Sequence, residues 1–383
     1  MKETNTYLGS DIKKLGFGLM RLPTDTGKPD GKIDIAKSCE MVDAFMAAGF
    51  TYFDTAYGYS GGESERAIKA ALVDRYPRES FKLATKLPAW HGASSEAEAR
   101  AMFDTSFERT GAGYFDFYLL HNVGSVRTAA FDKFHMWEYI AELKAAGKIR
   151  HAGFSFHDTA ELLDEVLTKH PEMEFVQLQI NYADWNSGGV QSRRCWETAW
   201  KKHGKPVVIM EPVKGGMLSD PHETVKAALD AANPNVSYSS WAIRFAASLD
   251  GIITVLSGMT TIEQMNDNIS TMKDFVPLSE TERGAVDNAI AALNALPGIP
   301  CTGCRYCVEG GGCPMNVVIP NIFDAFNRKL IFGDEMAAKF GYAWETNFGA
   351  KASACVACGH CETVCPQKIP IIERLKEAAA AFE

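Results

Sequence analysis

Eight of the ten cysteines of this chain fall between Cys301 and Cys365, in two runs with the same internal spacing. The first reads Cys301-Thr-Gly-Cys304-Arg-Tyr-Cys307, followed after five residues by Cys313-Pro314. The second reads Cys355-Val-Ala-Cys358-Gly-His-Cys361, followed after three residues by Cys365-Pro366. Three thiolates at two-residue gaps let one tight loop wrap a [4Fe-4S] cubane, and the cysteine before proline ligates the other cluster. The spacing thus assigns Cys301, Cys304, Cys307 and Cys365 to one cluster and Cys355, Cys358, Cys361 and Cys313 to a second. A pair of structural zinc sites is the alternative. Zinc takes its four ligands in two separated pairs, which leaves the third cysteine of each run without a place. The chemistry expected is one-electron transfer.

Cys39 and Cys195 stand alone and read as reduced, inert thiols, because a cytosolic chain keeps thiols reduced and does not build a disulfide framework. The tail resembles the bacterial two-cluster ferredoxins. It departs from them in Val-Glu-Gly-Gly-Gly before Cys313 and in a long stretch between the runs, where Ile322–Leu330 and Glu335–Phe340 read as helical. Cluster potentials span about -700 to +450 mV, so the cysteines alone do not set these two.

The elements that must carry this tail and its surroundings come from 383 residues, 46% of them hydrophobic and 23% charged, with a formal net charge of -9. That balance describes a soluble globular chain and argues against nucleic acid as a partner, since no basic run stands out. No apolar stretch reaches the ~18 residues of a membrane helix, and MKETNTYLGSD is no secretory signal, so a cytoplasmic location without membrane contact is expected. Eight short apolar runs alternate with helical patterns up to about residue 290: KLGFGLMRL, TYFDTA, FKLATK, FDFYLLH, IRHAGFS, FVQLQIN, PVVIME and GIITVLSG. The intervening helices include IAKSCEMVDAFMAAG, SERAIKAALVDRY, AEARAMFDTSFERTG and FHMWEYIAELKAAG, several ending at glycine (Gly49, Gly111, Gly147) where a left-handed turn is needed. Eight β-then-α units predict a (β/α)8 TIM barrel. The rhythm stops at Leu296-Pro297-Gly298-Ile299-Pro300, which sets the expected domains as a barrel over 1–296 and a ferredoxin-like 2x[4Fe-4S] domain over 297–383.

In such a barrel, chemistry sits where strands end. Strand ends supply Asp54 and Tyr59 after the second strand, Lys86 after the third, His121 after the fourth and Ser155 after the fifth, while Gln177 lies within the sixth. A phenol, an ammonium, a carboxylate and an imidazole at one mouth make a proton-donating device. An unperturbed tyrosine is a weak acid, with a pKa near 10. A neighbouring Lys86 is expected to lower that pKa, with Asp54 keeping the lysine charged.

Phe53-Asp54-Thr55-Ala56-Tyr57-Gly58-Tyr59, Ala84-Thr85-Lys86 and Leu119-Leu120-His121 resemble the Asp–Tyr–Lys–His tetrad of the aldo-keto reductases. Leu15-Gly16-Phe17-Gly18 and Gly147-Lys148-Ile149-Arg150 leading to Gly153-Phe154-Ser155 are similar to that family too, and the match spans roughly residues 7 to 275. One branch of the family adds an iron–sulfur tail. The resemblance implies that Tyr59 protonates a carbonyl oxygen as hydride reaches carbon, that Lys86 and Asp54 tune it, and that His121 orients the carbonyl. Tyr57 is the competitor, and the five-residue step from Asp54 favours Tyr59. The resemblance further implies an extended NADP or NAD across the mouth, met by Gly18, Ser155, Gln177, Met210, Ser257, Gly258, Met259, Thr260, Gln264 and Asn268.

The chain departs from the family pattern in three respects. Phe156 replaces an asparagine, Met210 replaces a stacking aromatic, and Glu263 and Gln264 offer no arginine to a 2′-phosphate. His151 and His157 read as structural or surface residues. Glu211 and Lys214 read either as a solvated ion pair or as contacts to cofactor or substrate. Trp90, His91, Tyr118, Tyr182 and Trp185 suggest an aromatic-lined pocket. The expected function is nicotinamide-linked reduction of a small-molecule carbonyl, or oxidation of an alcohol, coupled to electron transfer through two [4Fe-4S] clusters with a redox partner such as a ferredoxin or flavoprotein. The alternatives are an electron-transfer or redox-sensing protein that uses the barrel as a docking scaffold, and clusters that only staple the tail.

Overall fold

A computed structural model describes residues 6–27, 31–125, 127–188, 190–309, 312–332, 334–347 and 349–383. The eight apolar runs become eight strands: β1 Leu15–Gly18, β2 Tyr52–Asp54, β3 Lys82–Leu87, β4 Phe115–Val123, β5 Ile149–Phe156, β6 Phe175–Gln179, β7 Val207–Met210 and β8 Ile252–Ser257. They pair in parallel in sequence order, and β1 closes on β8. Helices follow on the outside because a parallel sheet returns each strand through a crossover and needs both faces covered. Several of their starts are capped by side chains. Asp34 accepts from the Lys37 N–H, Ser95 from Glu98 and Thr261 from Gln264, each satisfying an N–H that the first turn leaves orphaned.

One helix differs from its sequence pattern. The segment expected as a single helix over 64–76 is α-helical over Glu63–Ile68 and then widens into a π turn over Lys69–Val73. The wider turn keeps both Ala67-Ile68 and Ala71-Leu72 buried against the barrel.

Strand alternation divides the buried side chains into two cores. Tyr52, Ala84, Phe117, Leu119, Phe175, Val208 and Ile253 fill the barrel interior. Phe53, Leu83, Tyr118, Leu120, Phe154, Val176 and Ile209 pack outward beneath the helices. Tyr118 therefore lines no pocket, contrary to expectation; its ring sits against Phe103 and Phe115. The interior is tight at Gly153, where an added Cβ would lie 2.5 Å from the Phe175 carbonyl oxygen and 2.6 Å from its ring. Gly153→Ala is expected to destabilise the protein by about 1–3 kcal/mol through overpacking, which chemical denaturation of that variant would measure.

By packing density the chain forms two compact units, one of residues 1–187, 191–213 and 239–279, the other of 188–190, 214–238 and 280–383. The first holds the barrel. In the second, helices Ile319–Phe332, Glu335–Glu345 and Ile371–Phe382 surround a core of Ile322, Phe323, Phe326, Tyr342, Ile371 and Leu375. The two stretches read as helical between the cysteine runs are both helices, each longer than its pattern suggested. Among the described residues, no helix is long and apolar enough to cross a membrane.

Candidate active site and cluster-binding tail

Asp54, Lys86 and His121 lie two residues beyond the interior residues Tyr52, Ala84 and Leu119, and Gln177 and Met210 two beyond Phe175 and Val208. A period of two keeps all five on the inner face at one end of the barrel, and Ser155 pairs with Gln177 across β5 and β6. His121 sits inside β4 rather than after it. The strand runs on to Val123 through a register shift at Asn122, whose φ is +60°. A bulge of this kind re-aims the neighbouring side chain.

Lys86 Nζ donates to Asp54 Oδ1 (2.5 Å) and to the Thr55 carbonyl (2.6 Å), and it lies 3.5 Å from the Tyr59 hydroxyl. The Tyr59 ring meets the His121 ring edge-on at 6.0 Å. Tyr57 points elsewhere, with the Arg109 guanidinium 4.6 Å over its ring. Burial pushes Asp54 up and Lys86 down, and in each case the opposite charge resists.

Tyr59 does not follow the expectation of a lowered pKa. Burial first, then the Asp54 and Glu211 carboxylates, hold its phenol well above the ordinary range. The reason is that the ammonium is compensated by a carboxylate at contact distance, so the phenol feels a near-neutral pair. His121 is driven the other way, well below the ordinary imidazole range, by burial and then by Lys86 and Arg127. Its ring is therefore neutral at physiological pH.

The loop bearing Tyr59 rests on residues that sequence reasoning missed. Buried Glu65 accepts from Thr85 Oγ1 (2.7 Å) and from Arg109 Nη1 (3.2 Å), and Arg109 also donates to the Tyr57 carbonyl (2.9 Å). Thr55 and Ser64 share a hydrogen bond of 2.8 Å between their hydroxyls. Glu65, Thr85 and Arg109 lie in helical or outward-facing patterns whose ordinary reading is solvent or core, so no local signal marked them.

The cofactor residues implied by the resemblance fall into two groups. Ser155 Oγ accepts from the Asn122 N–H (2.8 Å), and Gln177 Nε2 approaches Met210 Sδ (3.5 Å). Gln177 Oε1, Asp54 Oδ2 and His121 Nδ1 are buried and meet no hydrogen-bond partner among the described residues. Unsatisfied polar atoms on the inner face of three strands fit a polar ligand end such as a carboxamide or carbonyl. The second group lies across β1 and β8. Asn268 Nδ2 donates to Ser257 Oγ (2.9 Å), the Thr260 N–H to Gln264 Oε1 (2.8 Å) and Thr260 Oγ1 to the Arg21 carbonyl (3.0 Å).

A Cβ built on Gly18 would stand 3.4 Å from the Ser257 carbonyl oxygen, and Gly258 faces the Arg21 side chain at about 4 Å. Met259 packs into the outer core. Arg21 is the missed residue here. Its run was read as strand throughout, whereas the strand stops at Gly18 and a 3₁₀ turn over Leu19–Arg21 carries the arginine to this loop.

Phe156 is buried in the outer core, so the interior contact of an asparagine is not available from that position. His151 reaches Glu174 (3.2 Å) and serves structure, whereas His157 belongs to the charge environment of His121. The Trp90 ring lies 6.0 Å from that of His121 and its Nε1 donates to the His121 carbonyl. His91 stacks edge-on against Trp90, while Tyr182 and Trp185 both pack on Phe245.

In the tail, backbone geometry repeats where the sequence repeats. Gly303 and Ala357, before the middle cysteines, have φ of +64° and +54°; Arg305 and Gly359, after them, +66° and +81°. Asn316 and Lys368, three residues past Cys313 and Cys365, have +54° and +52°. Each donates its N–H back to the cysteine carbonyl, and helices begin at Ile319 and Ile371, six residues past each cysteine.

Burial pushes the Cys307 thiol up to about 12, with Cys301 and Cys365 adding to it before Cys361. Burial pushes Cys361 up to about 11, helped by Glu362 and then Cys355 and Cys358. The charge neighbours of Cys307 thus come from both runs: Cys301 from its own, Cys365 and Cys361 from the other. Burial also raises Cys365, against the N–H groups of Ile369, Gln367 and Lys368 that hydrogen-bond to it. N–H groups converging on a thiolate are what an anionic cluster needs. Among the described residues no three His, Cys, Asp or Glu side chains converge as on one ion; a cubane, with iron and sulfide between its thiolates, does not require that. Cys39 and Cys195 are unpaired by disulfide, and burial pushes Cys195 up to about 12, an inert thiol.

Two family models match the chain. The Aldo/keto reductase family model matches residues 14–291, and the 4Fe-4S dicluster domain model matches residues 300–369. The uncharacterized oxidoreductase YqkF of Bacillus subtilis is 24% identical over 288 residues, covering 68% of this chain and 87% of that protein. An aldo-keto reductase of Mycolicibacterium smegmatis is 27% identical over 220 residues, covering 56% and 73%. The holo form of aldo-keto reductase AKR11C1 from Bacillus halodurans superposes with a TM-score of 0.58 at 25% identity, covering 73% of this chain and 92% of that one. A Klebsiella pneumoniae aldo-keto reductase in complex with NADPH shares the fold, with a TM-score of 0.57 at 20% identity, covering 72% and 90%.

Proposed function

The chain belongs to the aldo/keto reductase family and carries a 4Fe-4S dicluster domain, and from that premise we propose that it reduces a small-molecule carbonyl with a nicotinamide cofactor and exchanges electrons with two [4Fe-4S] clusters. The observation that carries the reading is Lys86 held between Asp54 and the Tyr59 hydroxyl, beside a neutral His121, all on the inner face of the barrel mouth. A bound nicotinamide dinucleotide supplies hydride to the carbonyl carbon.

Tyr59 donates its proton to the carbonyl oxygen. Its raised pKa keeps the proton in place until the oxygen becomes alkoxide-like, and an alkoxide is a stronger base than any phenolate, so the transfer runs downhill. His121, neutral, donates a hydrogen bond that orients the carbonyl. Lys86, anchored by Asp54, fixes the phenol's position through its contact with the hydroxyl. Ser155 and Gln177 hold the carboxamide. Gly18, Ser257, Gly258, Met259, Thr260, Gln264 and Asn268 form the dinucleotide lip, where the start of helix Ile262–Met272 favours a pyrophosphate. Arg21 beside Gly258 provides the guanidinium for a further phosphate, which favours NADP. The eight tail cysteines hold the clusters in the crossed sets, and a ferredoxin or flavoprotein serves as the redox partner.

Anaerobically purified protein, with iron and sulfide measured first, should be mixed with NADPH or NADH in a stopped-flow cell. Bleaching of the cluster absorbance once a flavoprotein is added is the expected result, because a flavin takes hydride as an electron pair and passes the electrons on singly to the clusters. Carbonyl turnover with unbleached clusters would remove the coupling from the proposal. Neither bleaching nor turnover, with no cofactor binding by calorimetry, would favour an electron-transfer protein with a scaffold barrel.

A further inference from the structure

The two cluster sites repeat each other in spacing and backbone, and this makes their differences informative. Two residues past Cys365 stands Gln367, buried at 7% exposure; two residues past Cys313, at the matched position, stands Met315, 41% exposed. Gln367 Oε1 accepts from Lys214 Nζ at 2.8 Å, and Lys214 is itself buried at 5% exposure. Gln367 Nε2 is buried and has no hydrogen-bond partner among the described residues.

The next residue, Gly215, presses on the other half of the same ligand set. A Cβ there would lie 2.4 Å from the carbonyl oxygen of Thr302, which follows Cys301. Lys214 and Gly215 thus touch the segments carrying Cys365 and Cys301, two cysteines of one crossed set. The other set has a different setting, with Cys358 exposed and Val356 58% exposed.

We propose that Lys214 and Gln367 form a positioning pair that raises the reduction potential of the cluster held by Cys301, Cys304, Cys307 and Cys365, and not that of its twin. The inference goes beyond carbonyl reduction and does not rest on it. One electron added to a cubane with four thiolates increases its negative charge by one, with no bond made or broken and no proton needed. A buried ammonium nearby stabilises the more negative form. The carboxamide would transmit the effect: Lys214 fixes its oxygen, and the buried Nε2, which has no hydrogen-bond partner among the described residues, would donate to cluster sulfur. Hydrogen bonds to cluster sulfur and local charge are established levers on such potentials. Met315 offers no donor at the matched place, so the two clusters become electrically distinct within a symmetric frame.

The test is a dithionite titration of the full-length protein with viologen mediators, followed by paramagnetic resonance at low temperature. Lys214→Met and Gln367→Met are each expected to lower one of the two midpoints by a tenfold or greater loss in the one-electron equilibrium constant, about 59 mV. The second midpoint should stay in place, and Lys214→Arg, which keeps the charge, should retain the wild-type value. Should Lys214→Met lose iron, Gln367→Met decides alone, since it removes no charge and copies the residue at the twin site. Unmoved midpoints with full iron content, or equal movement of both, would overturn the proposal.

Discussion

Tyr59→Phe is expected to lower kcat/KM for carbonyl reduction by about 10²–10⁴, the range for loss of a positioned general acid. No neighbouring group replaces the lost proton. His121 is neutral under physiological conditions, so its N–H can orient an oxygen but is a poor acid toward it. The Lys86 ammonium is engaged by Asp54 at 2.5 Å and by the Thr55 carbonyl at 2.6 Å. The hydroxyl's own contact with Lys86 is long, at 3.5 Å, so its removal should cost little stability. Cofactor affinity and iron content should match the parent protein. Steady-state kinetics with a panel of aldehydes and ketones checks this, and undiminished turnover would remove Tyr59 from the chemistry.

Lys86→Met is expected to cost about 3–5 kcal/mol of folding stability, the range for removing one partner of a buried pair. Both side chains are almost wholly buried, and Asp54 Oδ2 already has no hydrogen-bond partner among the described residues. Asp54 would then be a lone buried carboxylate, and its pKa, already raised by burial, would rise further. Between the unfolded and folded pKa values the folded state binds the proton that the unfolded chain has released, so stability falls as pH rises through that window. The variant should accordingly be closer to the parent at acidic pH than at neutral pH. Urea denaturation at several pH values measures this, with Asp54→Asn in the Lys86→Met background as the control. If the double variant is no more stable than the single one, the uncompensated carboxylate is not the cause.

Much of this architecture was legible because continuous apolar runs and cysteine spacing are strong local signals. All eight strands begin inside the runs that announced them, with β3, β4 and β5 running one or two residues beyond theirs, and the turns at Gly49, Gly111 and Gly147 have the left-handed φ their positions suggested. The same continuity hid which way each residue points. In a strand buried on both faces, alternation carries no polarity signal, so Tyr118 looked like a pocket residue although its ring faces the helices. Arg21 and the bulge at Asn122 were missed because both depend on where a strand stops pairing, which its neighbours decide. The direction of the Tyr59 shift was misread because lysine and carboxylate were weighed separately, whereas burial and net compensation act on the assembled group. Lys214 and Gln367 are 153 residues apart, a pairing no local pattern reveals.

The matched turns of the tail bear on how the molecule matures. Arg305, Ala357, Asn316 and Lys368 all hold a backbone conformation that favours glycine, at roughly 1–2 kcal/mol for each ordinary L-residue, asparagine less. The barrel strands carry no cluster cysteine, whereas these four turns lie one to three residues from the cysteines that would meet iron. Iron removal is therefore expected to loosen the second unit and leave the barrel unchanged, which limited proteolysis of chelator-treated protein checks. A cell short of iron would accumulate chains with a finished barrel and a slack, protease-sensitive tail, and iron repletion would rescue them without new synthesis.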